Sequence, residues 1–172
     1  MVRAERLPTA IAHAFIDAIE AWSDLEHELF MTWQFLNDTA DFNKAWLEFS
    51  SMSTQRQIDQ TEKVVSDYRS SVTSELFGRL RDLKEKRNRI VHGRWNEMTV
   101  EEGRKRYFEY NRIYEARGAE VRPLNEEDEQ RMRGRSRFYE ADLRAAENEF
   151  RQAAHDVHMV RVNLREPKLR RR

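Results

Sequence analysis

The chain has 172 residues, no cysteine, and 31 basic against 31 acidic side chains. That length suits one domain whose core needs no metal or disulfide staple. The missing thiols exclude disulfide frameworks, cysteine-ligated zinc, iron–sulfur clusters and thiol catalysis, and point to a reducing compartment. No apolar run approaches the roughly 20 residues that span a bilayer. Residues 1–14, with Glu5, Pro8 and His13, do not read as a signal peptide. A cytoplasmic protein with no membrane segment is the expectation. The balance of charge is global but not local. The first 60 residues hold four of the 31 bases (Arg3, Arg6, Lys44, Arg56) and ten of the 31 acids, which leaves 27 and 21 for the rest. A basic second half can form a local electropositive surface for phosphates; solvation of helices by mixed charges accounts for it equally well.

The first predicted helix starts at Pro8, since proline suits a first helical turn whose N–H would be unpaired anyway. Ile11, Phe15, Ala18, Ile19, Trp22, Leu25, Leu29 and Leu36 then recur at steps of three and four, and Phe30 and Trp33 widen the stripe. Such a helix is buried on more than one side. Asn37-Asp38-Thr39 ends it. A short amphipathic piece follows, expected to turn Phe42, Trp46, Leu47 and Phe49 inward. Thr54 with Gln57 has capping-box spacing and opens a helix carrying Ile58, Val64, Val65 and Tyr68. After a weak break at Ser70-Ser71, a fourth helix carries Val72, Leu76, Leu80, Leu83 and Val91. It stops at Gly93, a residue suited to the left-handed position past a helix end.

Beyond Gly93 the pattern changes. The aromatic run Tyr107-Phe108-Glu109-Tyr110-Asn111-Arg112-Ile113-Tyr114, the turn residues Arg117-Gly118 and the segment Glu120-Val121-Arg122-Pro123 predict a small hairpin over residues 106–123. The rival is a short helix from Thr99, which has capping-box spacing to Glu102. Residues 125–135 read as a loop or short helix. The last helix is expected from about Ser136, with Phe138, Leu143, Ala146, Phe150, Ala153, Ala154, Val157 and Val160 on one face. Pro167 closes it, and Lys168 to Arg172 form a basic tail. The sum is a single mainly all-α domain over residues 1–163, a bundle of four to five helices with a small hairpin insertion, and a tail over 164–172.

One segment combines chemically useful side chains at a suggestive spacing: Lys86-Arg87-Asn88-Arg89-Ile90-Val91-His92-Gly93-Arg94. On a helix Arg87 and His92 point about 140° apart, while Asn88 and His92 share a face. Arg87 and His92 of one chain therefore need not touch. Two copies related by a twofold axis would bring two arginines and two histidines into one cleft.

Arg-Asn-x-x-x-His followed by Gly, late in a helix of a small helical domain, resembles the signature of the HEPN superfamily, the higher eukaryotes and prokaryotes nucleotide-binding domains. Arg87, Asn88 and His92 fill its arginine, polar and histidine positions, and Ile90 and Val91 fall where apolar packing residues are usual. The resemblance implies a homodimer that cleaves RNA without metal or other cofactor, using Arg87 and His92 as active residues with Asn88 beside them. It also implies a setting in toxin, defence or stress systems, with a cognate antitoxin or regulatory protein as a further partner. Many such domains bind nucleotide or protein without cleaving RNA, and that non-catalytic module is the alternative.

The chemistry is consistent with these side chains. RNA carries its own nucleophile, the 2′-hydroxyl, beside each phosphate. Histidine, with an unperturbed pKa of about 6.5, exchanges protons near neutrality, and general acid–base catalysis is worth on the order of 10²–10⁴-fold. Arginine stays charged and offers a planar fork of donors to the phosphate. Lys86, Arg89, Arg94 and Trp95 flank the motif as candidate RNA contacts, although packing of Trp95 on the bundle is favoured. The bland account is also available: His92 suits a last helical turn through the helix dipole alone, Arg87 can be a surface ion-pair partner, and the domain can be purely structural.

Other candidates are weaker. His155 and His158, with Asp156 between them, lack a third metal ligand of convincing spacing, so a solvated helix face is the preferred reading. His27-Glu28 is not followed by the second histidine of a zinc-protease helix. With five glycines, the chain has neither GxGxxG nor GxxxxGK[ST]. Trp22, Trp33 and Trp46 read as core. Tyr107, Phe108, Tyr110 and Tyr114 with Lys105, Arg106 and Arg112 make a strip of the kind that binds single-stranded nucleic acid, or one that merely covers the bundle.

Overall fold

The computed structural model describes residues 9–68, 73–92, 94–100, 103–109 and 137–165. Five helices dominate: α1 (Thr9–Leu36), α2 (Phe42–Ser50), α3 (Thr54–Tyr68), α4 (Thr73–His92) and α5 (Glu140–Arg165). Three strands, β1 (Arg94–Val100), β2 (Gly103–Glu109) and β3 (Arg137–Phe138), form one antiparallel sheet in that order. The mainly all-α bundle expected from the sequence is the observed architecture. No described helix is long and apolar enough to cross a membrane.

Cross-helix contacts fix the directions. Asp17–Arg144 (3.9 Å), the edge-to-face rings of Trp22 and Phe150 (5.1 Å), and Asp24–Arg151 (3.7 Å) advance together, so α1 and α5 run parallel. Arg79–Asp156 (3.0 Å) and Lys86–Glu149 (2.5 Å) run oppositely, so α4 is antiparallel to α5. Arg81–Asp59 (2.8 Å) and Lys84–Gln55 (2.8 Å) make α3 and α4 antiparallel as well. The α1–α5 contact is the most extensive. Ala14, Ala18 and Ala21 on α1 and Ala146 and Ala153 on α5 are fully buried, where larger side chains would hold helix axes apart. The rest of the core is bulky: Trp22, Leu25, Leu29, Phe30, Phe49, Ile58, Phe77, Leu80, Ile90, Leu143 and Phe150 are all sealed. Burial of each large apolar side chain contributes about 1.5–3 kcal/mol.

The helix ends follow local chemistry. Asn37 Nδ2 donates to the Trp33 carbonyl at 2.8 Å, and Asp38 takes the left-handed conformation (φ 49°) that ends α1. Asp41 caps α2 by accepting from the Lys44 N–H at 3.0 Å. The cap of α3 lies one residue earlier than the Thr54–Gln57 spacing suggests. Ser53 Oγ accepts from the Arg56 N–H at 3.3 Å, while Gln57 is buried and donates to the Phe49 carbonyl at 3.1 Å. Gln57 thus satisfies the end of α2 instead of the start of α3.

Three further expectations need correction. Of the α2 side chains expected to face inward, Phe49 is sealed, but Phe42, Trp46 and Leu47 are 48%, 42% and 69% exposed. The nine-residue α2 lies on the bundle as a flap; Phe42 and Trp46 set their edges on the Phe30 ring (5.3 and 4.9 Å) and leave their outer faces open. Trp46 is therefore not core, whereas Trp22 and Trp33 are. A hairpin is present among the described residues, earlier in the chain than the one expected. It joins β1 to β2, with Arg94 opposite Glu109 and Val100 opposite Gly103, so Thr99 pairs with Arg104 in a ladder and starts no helix. The strand-forming residues Trp95, Thr99 and Val100 outweigh the capping-box spacing. Residues 110–123 of the expected 106–123 hairpin, and the expected loop at 125–135, lie outside the described residues. Finally, α5 starts at Glu140 and not near Ser136, because Arg137 and Phe138 pair with Glu109 and Phe108 and hold the chain extended. Asp142 reaches back to accept from the Tyr139 N–H at 2.8 Å. The helix then continues to Arg165, two residues past the expected domain end at 163, and residues 166–172 lie outside the description.

Candidate functional site on the fourth helix

The phase of α4 is set by Phe77, Leu80, Leu83 and Ile90, all buried against the bundle. This stripe includes Phe77, which the spacing argument passed over, and Ile90 in place of Val91, which is half-buried. With Ile90 inward, Arg87 falls about 60° to one side and His92 about 160° away. Accordingly Arg87 is half-buried at the margin of the core, while His92 and Arg89 are exposed and Asn88 is intermediate. Arg87 Nη1 donates to Asn88 Oδ1 at 3.4 Å, and Arg87 Nε is sealed from solvent without a hydrogen-bond partner among the described residues. No carboxylate among the described residues pairs with Arg87. Lys86 differs: it binds Glu149 of α5 at 2.5 Å and pins the motif turn to the bundle.

Arg87 and Asn88 are thus brought together, and Arg87 and His92 of the same chain are not joined by a hydrogen bond among the described residues. This matches their expected angular separation. His92 is the last residue of α4, next to the unpaired carbonyls that favour a positive charge at a helix C-terminus. Two residues further on, β1 begins with Arg94 opposite Glu109 and Trp95 opposite Phe108. The side chains of Arg94 and Trp95, and of the basic-aromatic strip, lie outside the described residues.

The fold gathers a second constellation, whose histidines the sequence shows only as separate local groups. A groove of about 260 Å³ between α1 and α5 is lined by Asp24, His27, Glu28, Ala154, His155 and His158. Beneath it Arg161 is 7% exposed; its Nη2 contacts Glu28 Oε2 at 2.8 Å and His158 Nδ1 at 3.0 Å. His158 Nδ1 also lies 3.3 Å from Glu28 Oε2. Asp156, once grouped with these histidines by sequence, points elsewhere, to Arg79. The grouping depends on the parallel seating of α1 against α5, which local periodicity cannot reveal. Its one local sign is Arg161, a charged residue four places after Val157 on the apolar stripe. Searches against protein-family models, curated proteins and solved structures give no match for the chain.

Proposed function

We propose that this protein is a metal-independent endoribonuclease, or an RNA-binding protein of the same HEPN-like build, acting as a homodimer whose two α4 helices form a composite Arg87/His92 cleft. The observation that carries this reading is the Arg87-Asn88-x-x-x-His92 segment in the last turns of α4, with His92 exposed and Arg87 unpaired by any described carboxylate. In the proposed reaction one histidine takes the 2′-hydroxyl proton as the 2′-oxygen bonds to phosphorus. The second histidine protonates the departing 5′-oxygen as the phosphorus–oxygen bond breaks. Arg87 stabilises the charge that builds on the phosphate. The products are a 2′,3′-cyclic phosphate and a free 5′-hydroxyl. A toxin, defence or stress-response role, with an antitoxin or regulatory partner, belongs to the same proposal.

The half-burial of Arg87 supports a second reading, in which the motif holds a nucleotide- or protein-binding surface without cleavage. The two separate in one experiment: the purified chain is incubated with a labelled structured RNA in EDTA, beside Arg87→Ala and His92→Ala. Cleavage by the parent that both substitutions abolish, leaving cyclic-phosphate ends, is the expected result. Salt-sensitive RNA binding without cleavage selects the binding module, and neither binding nor cleavage removes RNA as the partner.

A further inference from the structure

In the α1–α5 groove one imidazole nitrogen faces two neighbours that make opposite demands on it. His158 Nδ1 lies 3.0 Å from Arg161 Nη2 and 3.3 Å from Glu28 Oε2. A guanidinium only donates, and an ionised carboxylate only accepts. Nδ1 holds either a lone pair or a proton in its ring plane, so it serves one of them at a time. We propose that His158 is a proton-operated latch on the α1–α5 seam, which accepts from Arg161 when neutral and, when protonated, donates to Glu28 and releases Arg161.

In the neutral state both Nη2 hydrogens of Arg161 are used, one on Glu28 Oε2 at 2.8 Å and one on His158 Nδ1 at 3.0 Å. His158 then carries its proton on Nε2. A proton added at Nδ1 sets donor against donor across the 3.0 Å contact and places a second cation beside the guanidinium. Glu28 Oε2 accepts the new N–H, and two cations share one carboxylate. No ring flip is needed, because both contacts exist before the proton arrives.

Arg161 is sensitive to this exchange. It is 7% exposed, and its Nε and Nη1 are sealed without a hydrogen-bond partner among the described residues. Among those residues the guanidinium is therefore held through Nη2 alone, and a buried charge that loses a partner is costly. The His158 side chain, by contrast, is 44% exposed, so a proton reaches it without the helices parting. The other titratable groups around it are Asp24 and His27 from α1 and His155 from α5. Asp24 lies 3.7 Å from Arg151, and Asp156 pairs with Arg79 of α4 at 3.0 Å. Glu28 is the described carboxylate in contact with the imidazole. Imidazoles exchange protons near neutrality, so mild acid is the signal that the latch reads.

Imidazole ¹H–¹⁵N spectra and amide hydrogen exchange on the full chain test this, beside His158→Gln, whose amide oxygen accepts from Arg161 but takes up no proton. In mildly alkaline buffer His158 is expected as the Nε2–H tautomer, which is read on the parent alone. Under the same conditions exchange at residues 161–165, the end of α5, should match the variant. In mild acid those amides should exchange about 10–100-fold faster in the parent than in the variant, the worth of one hydrogen bond to a charged group. His155→Gln, on the same helix and exposed, should leave that response intact. An Nδ1–H tautomer in the neutral protein, equal exchange of parent and His158→Gln in acid, or a response that His155→Gln abolishes overturns the proposal. RNA cleavage through the α4 motif bears on none of these readouts.

Discussion

Within six residues the α4 motif contains two side chains with opposite duties. Ile90 is sealed in the core, and His92 is exposed at the helix end. Ile90→Ala should therefore cost about 2–5 kcal/mol of unfolding free energy, through lost transfer energy and a residual cavity. His92→Ala should change stability by no more than about 0.5 kcal/mol, as surface substitutions do. Urea titrations of the two variants check this directly. A large destabilisation by His92→Ala would mean that the histidine holds the helix end, and loss of RNA cleavage in that variant would then report unfolding. Arg87 stands between these extremes. Its Nε is buried without a described partner, a costly arrangement unless something else offsets it, so its removal is the less clean probe of chemistry.

At the level of the helices, α3 and α4 are clamped by Arg81, which binds Asp59 at 2.8 Å and also pairs with Glu62. The hydrogen bond from Arg81 holds the Asp59 carboxyl below its ordinary value, and Asp59 in turn raises Arg81. A carboxyl whose pKa is depressed by folding stabilises the native state fully above its unfolded value of about 3.9. That contribution disappears as the pH falls through the lower folded value. Asp59→Asn should thus lower stability at neutral pH and match the parent in strong acid. Because Asp59 is 46% exposed, solvent screening keeps the effect to roughly 0.2–1 kcal/mol. Thermal melts at neutral and acid pH are the check; a difference that grows on acidification would contradict the clamp.

The elements also show what could be read in advance. The α1 stripe was legible to its end because Trp22, Leu25, Leu29, Phe30 and Trp33 are so strongly patterned that only a multiply buried helix accommodates them. The α2 inward face was not, since a nine-residue helix with four large apolar residues gives no indication of how much surface its neighbours leave to cover them. Ser53 displaced Thr54 as cap because Gln57 found a better partner in the Phe49 carbonyl, a tertiary contact invisible to spacing. The helical setting of the Arg87–His92 segment was legible, including the angle between the two residues, because a helix fixes angles by count alone. The α1–α5 groove was not, because His27 and His155 meet only through helix pairing.

Taken as a whole, the molecule threads its helices so that α4 ends and α5 begins at the same end of the bundle, bridged by the small sheet. In that sheet Glu109 and Arg137 lie directly opposite one another, although 27 residues separate them in the chain. Paired strand residues sit about 4.5–5.5 Å apart. The chain therefore leaves the sheet at Glu109 and returns beside its point of departure. Such a doorway makes residues 110–136 an exchangeable cassette: replacement by a short Gly/Ser turn should preserve the helical circular dichroism and a cooperative melt. Collapse of the bundle on that exchange would show that the cassette supports the fold. If the bundle persists, an engineer can swap the whole stretch between Glu109 and Arg137 without renegotiating the core.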